Sequence, residues 1–242
     1  MPGKILIYGG AGGIGSAIAR ELHEKEYALH LVGRDPDRLS SIARELDATF
    51  TVGDVEDDAT FSRVAEEAGD VLAGLVYAVG TINLRALPRL TEADFSRDFR
   101  VNALGAARAV QTALPALKKN TATSSVVLFS SIAAIQGFAL HASIGMAKAA
   151  VSGLALSLAA ELAPKVRVNA IAPSLTRTAL ADGILANDQI AASIAKLHPI
   201  PRLGEPTDIA SLAVFLLGTD ADWITGQVMS VDGGRSTLRT VG

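Results

Sequence analysis

The 242-residue sequence predicts an open, doubly wound parallel sheet of the α/β class, on three observations. Apolar runs of strand length alternate with longer helical patterns from one end to the other. The runs are apolar throughout, with no polar alternation, as strands covered on both faces require. The first run ends in a cluster of glycines that opens a helical pattern. Strands joined by right-handed helical crossovers satisfy all three, with helices on both faces of one sheet.

The elements follow in order. Lys4 to Tyr8 reads as a buried strand and Ile14 to Lys25 as a helix with Ile14, Ala17, Ile18 and Leu22 on its apolar face. Ala28 to Val32 is a second strand. Pro36 to Leu46 is a second helix, with Asp35 placed as N-cap and Pro36 at the first position, where a missing N–H does no harm. Thr49–Val52, Gly74–Val79, Ser125–Phe129, Val166–Ala172 and Gln227–Val231 complete the strands. Helical patterns lie at about Thr60–Ala68, Glu92–Lys118, Gly145–Leu162 and Pro206–Leu217. No repeat or linker divides the chain, so one domain over residues 1–242 is expected.

Composition narrows the function. The net charge is −3 and no Lys/Arg cluster forms a basic stripe, so no nucleic-acid partner is expected. There is no cysteine, which removes disulfides and thiolate chemistry, and no His/Asp/Glu group has metal-ligand spacing, so no metal is expected. Met1-Pro2-Gly3-Lys4 does not begin a signal peptide and no apolar run is long enough for a membrane span, so no membrane partner and a cytoplasmic location are expected. Ala103–Leu117 and Ala147–Leu162 are rich in Ala and Leu on nearly all sides. A helix apolar all round needs covering all round, so a homo-oligomer is expected.

Gly9-Gly10-Ala11-Gly12-Gly13-Ile14-Gly15 sits between the first strand and the first helix. Strand before, helix after and a βαβ unit of the right length read as a Rossmann dinucleotide site, with the pyrophosphate on the helix N-terminus. The end of the second strand then distinguishes cofactors. An NAD site offers an acid there; this sequence offers Leu31-Val32-Gly33-Arg34. Arg34 suits a 2′-phosphate, so NADP(H) is expected over NAD(H).

Over essentially its whole length the chain resembles the short-chain dehydrogenase/reductase family. Tyr8 to Gly15 is similar to the family's TGxxxGxG loop, which implies cofactor contacts at Gly9, Ala11, Gly13, Ile14 and Gly15. Asp54-Val55 matches the pair that meets adenine. Tyr77-Ala78-Val79-Gly80 stands in the place of NNAG, which implies contacts at Ala78 and Gly80. Asn102, Ser131 and Lys148 match the catalytic Asn, Ser and Lys. Arg167 to Thr178 resembles RVNxxxPGxxxT, with Ser174 for Gly, and implies cofactor contacts at Pro173, Thr176 and Thr178 as well as at Lys148. Asp232-Gly233-Gly234 resembles the C-terminal DGG. Where the family's YxxxK carries its proton-donating Tyr, four residues before Lys148, this chain has Ile144.

The resemblance implies hydride transfer between a nicotinamide and a small carbonyl, alcohol or activated double bond, in a tetramer or dimer. His141, with six residues between it and Lys148, is the candidate replacement acid, since an imidazole donates protons near neutral pH. The segment at about 177–205 is the expected substrate lid. Asp94, Asp98 and Glu92 read as a solvated helix face, and His23, His30 and His198 as surface or structural residues. The alternative is a cofactor-binding regulatory or scaffold protein without redox turnover.

Overall fold

A computed structural model describes residues 3–239; Met1 and Pro2 of the stretch read as no signal peptide, and the outermost ends of the 1–242 domain, lie outside the described residues. The elements run β1 Lys4–Tyr8, α1 Gly13–Glu24, β2 Ala28–Gly33, α2 Pro36–Glu45, β3 Thr49–Val52, α3 Asp58–Ala68 and β4 Gly74–Tyr77. They continue with α4 Glu92–Phe99, α5 Gly105–Lys119, β5 Ser124–Phe129, α6 Ala142–Leu162, β6 Val166–Pro173, α7 Asp182–Leu185, α8 Asp188–Lys196, α9 Pro206–Leu217 and β7 Val228–Val231. The seven strands form one sheet in the order β3-β2-β1-β4-β5-β6-β7, and every neighbouring pair is parallel.

The pleat divides the core in two. Leu6, Tyr8, Leu75, Tyr77, Val126 and Leu128 face α3, α5 and α6. Ile5, Ile7, Leu31, Val76 and Val127 face α1, α2 and α9. Both faces of the central strands are therefore buried, as their unbroken apolar runs require. Edge strand β3 departs from that pattern, with Phe50 and Val52 exposed. The strand order reverses between β1 and β4, and the crevice beyond their C-terminal ends is where open α/β sheets bind ligands.

Two expectations need correction. The single helix expected over Glu92–Lys118 is interrupted by a π-helical turn at Arg100–Leu104. And α6, with 21 residues, does meet the length and hydropathy of a membrane span. It instead lies on the sheet, with Val151, Ala155, Ala159 and Leu162 in the core. Asp35 caps α2 as expected, accepting from the N–H groups of Asp37 and Arg38. The lid region is more regular than its sequence shows. It contains α7 and α8, the latter capped by Asn187.

Candidate active site

The loop from Gly9 to Gly12 is held mainly by backbone. The N–H groups of Gly9 and Gly10 both reach Val32 O, at 2.8 and 3.0 Å, and Gly12 N–H reaches Gly9 O at 2.9 Å. Gly9 has φ +80°, and a Cβ there would lie 2.8 Å from Ala78 O. A side chain at Gly15 would overlap Gly9 O, so α1 can start this close to β1 only with glycine. No side chain caps α1 and no acid lies in its first turn, which leaves its N–H groups and positive dipole end open to an anion. The Thr178 methyl closes against Gly13, bringing the segment after β6 onto the loop. A dinucleotide pyrophosphate fits this cradle.

At the adenosine end, β2 stops at Gly33 and no acid side chain follows in its place. Arg34 is exposed and pairs with Asp54 at 3.6 Å, while Val55 is buried beside them. Arg38, from the first turn of α2, donates to Ala11 O at 3.3 Å. Sequence reasoning missed Arg38. It lies one helical turn after Arg34, on a helix whose Asp35 cap fixes its start, and that spacing is the signal that could have found it.

The catalytic candidates converge from four elements. Tyr77, at the end of β4, donates to Val101 O at 2.7 Å, and Gly105 leaves room for its hydroxyl. That bond occupies a carbonyl inside the π turn, and the widened turn points Asn102 inward. The Asn102 amide donates to Thr81 Oγ1 and to Asp98 O, both at 2.8 Å. Gly80 passes so near that a Cβ on it would lie 3.0 Å from Asn102 Oδ1 and 3.1 Å from Lys148 Nζ. Lys148 donates to Phe129 O at 2.9 Å, and Ser130 at the end of β5 ties down the Lys148 carbonyl at 2.9 Å. Burial pulls the Lys148 ammonium down to about 8, and the carboxylate of Asp98 partly opposes that pull.

Asp98 corrects the reading of its helix as solvated. It is 2% exposed and accepts from Thr81 Oγ1 at 2.6 Å, Ser143 Oγ at 2.7 Å and Asn83 Nδ2 at 3.4 Å. Asp94 does face outward, capping α4 and pairing with Arg85. His30 is buried between Thr49 and Thr51, and burial lowers it to about 4. His198 is buried too, with Nε2 2.8 Å from Ser174 Oγ and Nδ1 2.9 Å from Ile194 O.

Ser131, His141, Ile144 and Lys148 line one cavity of about 270 Å³, together with Ala78, Gly80, Pro173, Thr176 and Thr178. Ser131 Oγ accepts from Ala133 N at 3.1 Å. His141 precedes α6 with its Nδ1 2.7 Å from Ala139 O and its ring against Phe138. Leu180, Ile184 and Ile194 close the side formed by the expected lid. Of the other sequence candidates, Ile14 also lines this cavity, Gly9, Ala11, Gly13 and Gly15 form the glycine loop, Asn102 lies against Gly80, and Arg34, Asp54 and Val55 stand at the adenosine end of the same crevice. Among the described residues no His/Asp/Glu group could hold a metal.

Comparison with known proteins agrees with this geometry. The family model described as enoyl-(acyl carrier protein) reductase matches residues 9–236. A tropinone reductase homolog of Arabidopsis thaliana is 33% identical, over 95% of this chain and 91% of that protein. The solved structure of a short-chain type dehydrogenase/reductase from Mycobacterium ulcerans matches at 30% identity and TM-score 0.91, over 98% of this chain and 90% of that one. ElxO, solved with NADP bound, matches at 29% identity and TM-score 0.90, over 98% of this chain and all of that one. The chain therefore belongs to the short-chain dehydrogenase/reductase family of oxidoreductases, which use a nicotinamide cofactor.

Proposed function

We propose that this chain is an NADP(H)-dependent reductase of a small carbonyl or activated double bond in which His141 takes the place of the family's Tyr as proton donor. The observation that carries the reading is the convergence of Ser131, His141 and Lys148 on one cavity whose wall at position 144 is an isoleucine. Ile144 has no proton to give, and Tyr8 and Tyr77 are buried in the core, with Tyr77 already bonded to Val101 O.

The residues divide the work. The glycine loop and the open N-terminus of α1 would hold the pyrophosphate, and Lys148, beside Gly80, the nicotinamide ribose. Arg34 and Arg38 would pair the 2′-phosphate. Arg34 would exchange Asp54 for it at small cost, since that pair is exposed. A bound nicotinamide supplies the hydride. Ser131 Oγ would hold the substrate oxygen by a hydrogen bond. His141 Nδ1 keeps its proton against Ala139 O. Nε2 is then the atom that gives a proton, from the imidazolium form, to the oxygen or carbon left negative. The segment at about 177–205 would act as lid, with Leu180, Ile184 and Ile194 excluding water from the transfer.

The test is NADPH consumption against a panel of ketones, aldehydes and enones. His141→Ala should lower turnover by about 10²–10⁴ with little change in NADPH affinity, the usual contribution of a positioned acid. If His141→Ala leaves turnover intact, the histidine mechanism is wrong. If the parent consumes no NADPH while Ile144→Tyr does, the parent is a binding scaffold without redox turnover.

A further inference from the structure

The cavity is lined by more residues than this reaction uses, and one of them is a cation without a partner among the described residues. Arg235 follows Asp232-Gly233-Gly234 and lines the cavity. Its guanidinium carbon lies 5.0 Å from the centre of the Phe138 ring, and that ring lies 5.3 Å from the imidazole of His141. Among the described residues the Arg235 guanidinium makes no hydrogen bond or ion pair, and the acid acting on it is Asp232. Both Asp232 oxygens are committed elsewhere, accepting from Gly234 N at 2.9 Å and Ser236 N at 2.8 Å.

Of the side chains lining the cavity, Lys148 and Arg235 carry the full charges, and none is acidic. Lys148 is engaged with Phe129 O at the ribose end. Ile82, Leu84, Ile184 and Ile194 make part of the remaining lining aliphatic. A half-buried guanidinium laid on an aromatic face has its fork oriented but unfilled. The contact with Phe138 is worth less than a bidentate carboxylate in the same place.

We propose that Arg235 anchors an anion, and that the substrate is an apolar oxo acid or unsaturated acid. Its carboxylate sits on Arg235 and its reacting carbon lies toward Ser131 and His141. This rests on the oxidoreductase reading of the same cavity. It adds a substrate class, and it gives Phe138 a role, holding the guanidinium and the imidazole at the two ends of one ligand.

The anchor and the redox reading can fail separately. Binding is measured by calorimetry on the NADP-loaded protein with 4-phenylbutanoate and its neutral isostere 4-phenylbutanamide, neither of which has a ketone, aldehyde or activated double bond to reduce. The acid should bind roughly 10- to 100-fold tighter, the range of a charge-assisted pair. Arg235→Gln should bring the acid down to the amide without changing the amide, and Arg235→Lys should keep part of the preference. Equal affinities in the parent, heat from neither compound, or a preference that survives Arg235→Gln would each overturn the anchor. If Arg235→Gln does not fold, the parent and Arg235→Lys decide. In parallel, 4-oxo-4-phenylbutanoate is offered with NADPH. An Arg235-dependent preference in binding without NADPH consumption refutes the redox reading and leaves the anchor standing. Consumption of simple ketones with no preference for the acid does the reverse.

Discussion

The loop between β1 and α1 and the loop between β5 and α6 open onto the same crevice, yet they are held by different means. The first is fixed by main chain: two N–H groups share Val32 O, Gly9 sits at positive φ, and α1 abuts Gly9 O through Gly15. The second has main-chain turns at Ser131–Gln136 and a main-chain bond from Arg85 to Leu140 O, and adds side chains to them. Ser131 Oγ holds Ala133 N–H, His141 bonds Ala139 O, and Phe138 stacks under Arg235. Ile135 and Leu140 are exposed there, and Gly137 has open space where a side chain would be. Main-chain geometry tolerates few residue types, so the cofactor half is restricted. Side-chain contacts can be exchanged singly, so the substrate half is free to vary its chemistry.

The largest effect that tests this contrast is Gly15→Val. Its side chain must displace Gly9 O, which should cost about 1–3 kcal/mol of stability and reduce NADPH affinity at least roughly 100-fold, a loss of about 3 kcal/mol. Gly137→Val in the second loop should change neither, measured by thermal melting and titration calorimetry. Equal damage from both would break the comparison.

Next in size is an acid limit set by the cofactor half. His30 is buried neutral, with its folded-state value lowered to about 4 by burial and by Lys4. In the unfolded chain it binds its proton from about pH 6.5 downward. Its contribution is therefore fully present above about pH 6.5 and is lost as pH falls toward 4. The loss should approach about 3 kcal/mol, from a shift worth about 1.4 kcal/mol per unit. Urea unfolding of the parent and of His30→Val between pH 7 and 4 measures it. The variant should lack that part of the acid slope, and an unchanged slope would refute it.

A smaller effect concerns cofactor choice. Arg34→Ala with Arg38→Ala should weaken NADPH by roughly 10- to 100-fold while leaving NADH nearly unchanged. Equal losses for both cofactors would assign the two arginines to folding instead of the 2′-phosphate.

The smallest joins the two loops. Lys148 loses its charge as pH rises through about 8, so NADPH affinity should decline above that pH. Asp98 supports that charge, and Asp98→Asn should start the decline at lower pH, by an amount readable from calorimetry across pH 6–9. A purely structural Asp98 would lower affinity at every pH without moving the midpoint.

How much of this was legible follows from the same contrast. The strand set, the Asp35 cap and the glycine loop were readable because each depends on local sterics or periodicity within a few residues. The interruption at Arg100–Leu104 was not, since it depends on Tyr77 reaching Val101 O from another strand. The solvated reading of Asp98 failed for a similar reason. Its helix does carry exposed acids on one side, but Thr81 and Ser143 arrive from remote segments to bury the other.

The sequence by itself determined a parallel, two-faced sheet, a dinucleotide loop after β1, the absence of an acid at Gly33 and the presence of Ile144 before Lys148. These are properties of residue type at fixed spacing. Only the tertiary structure decided that Arg38 reaches Ala11 O, that His198 reaches Ser174, and that Arg235 meets Phe138 beside His141. Each pairs residues far apart in the chain or on different elements. A side chain's partner is set by where the sheet and its crossovers bring the backbone, and no local pattern records that position.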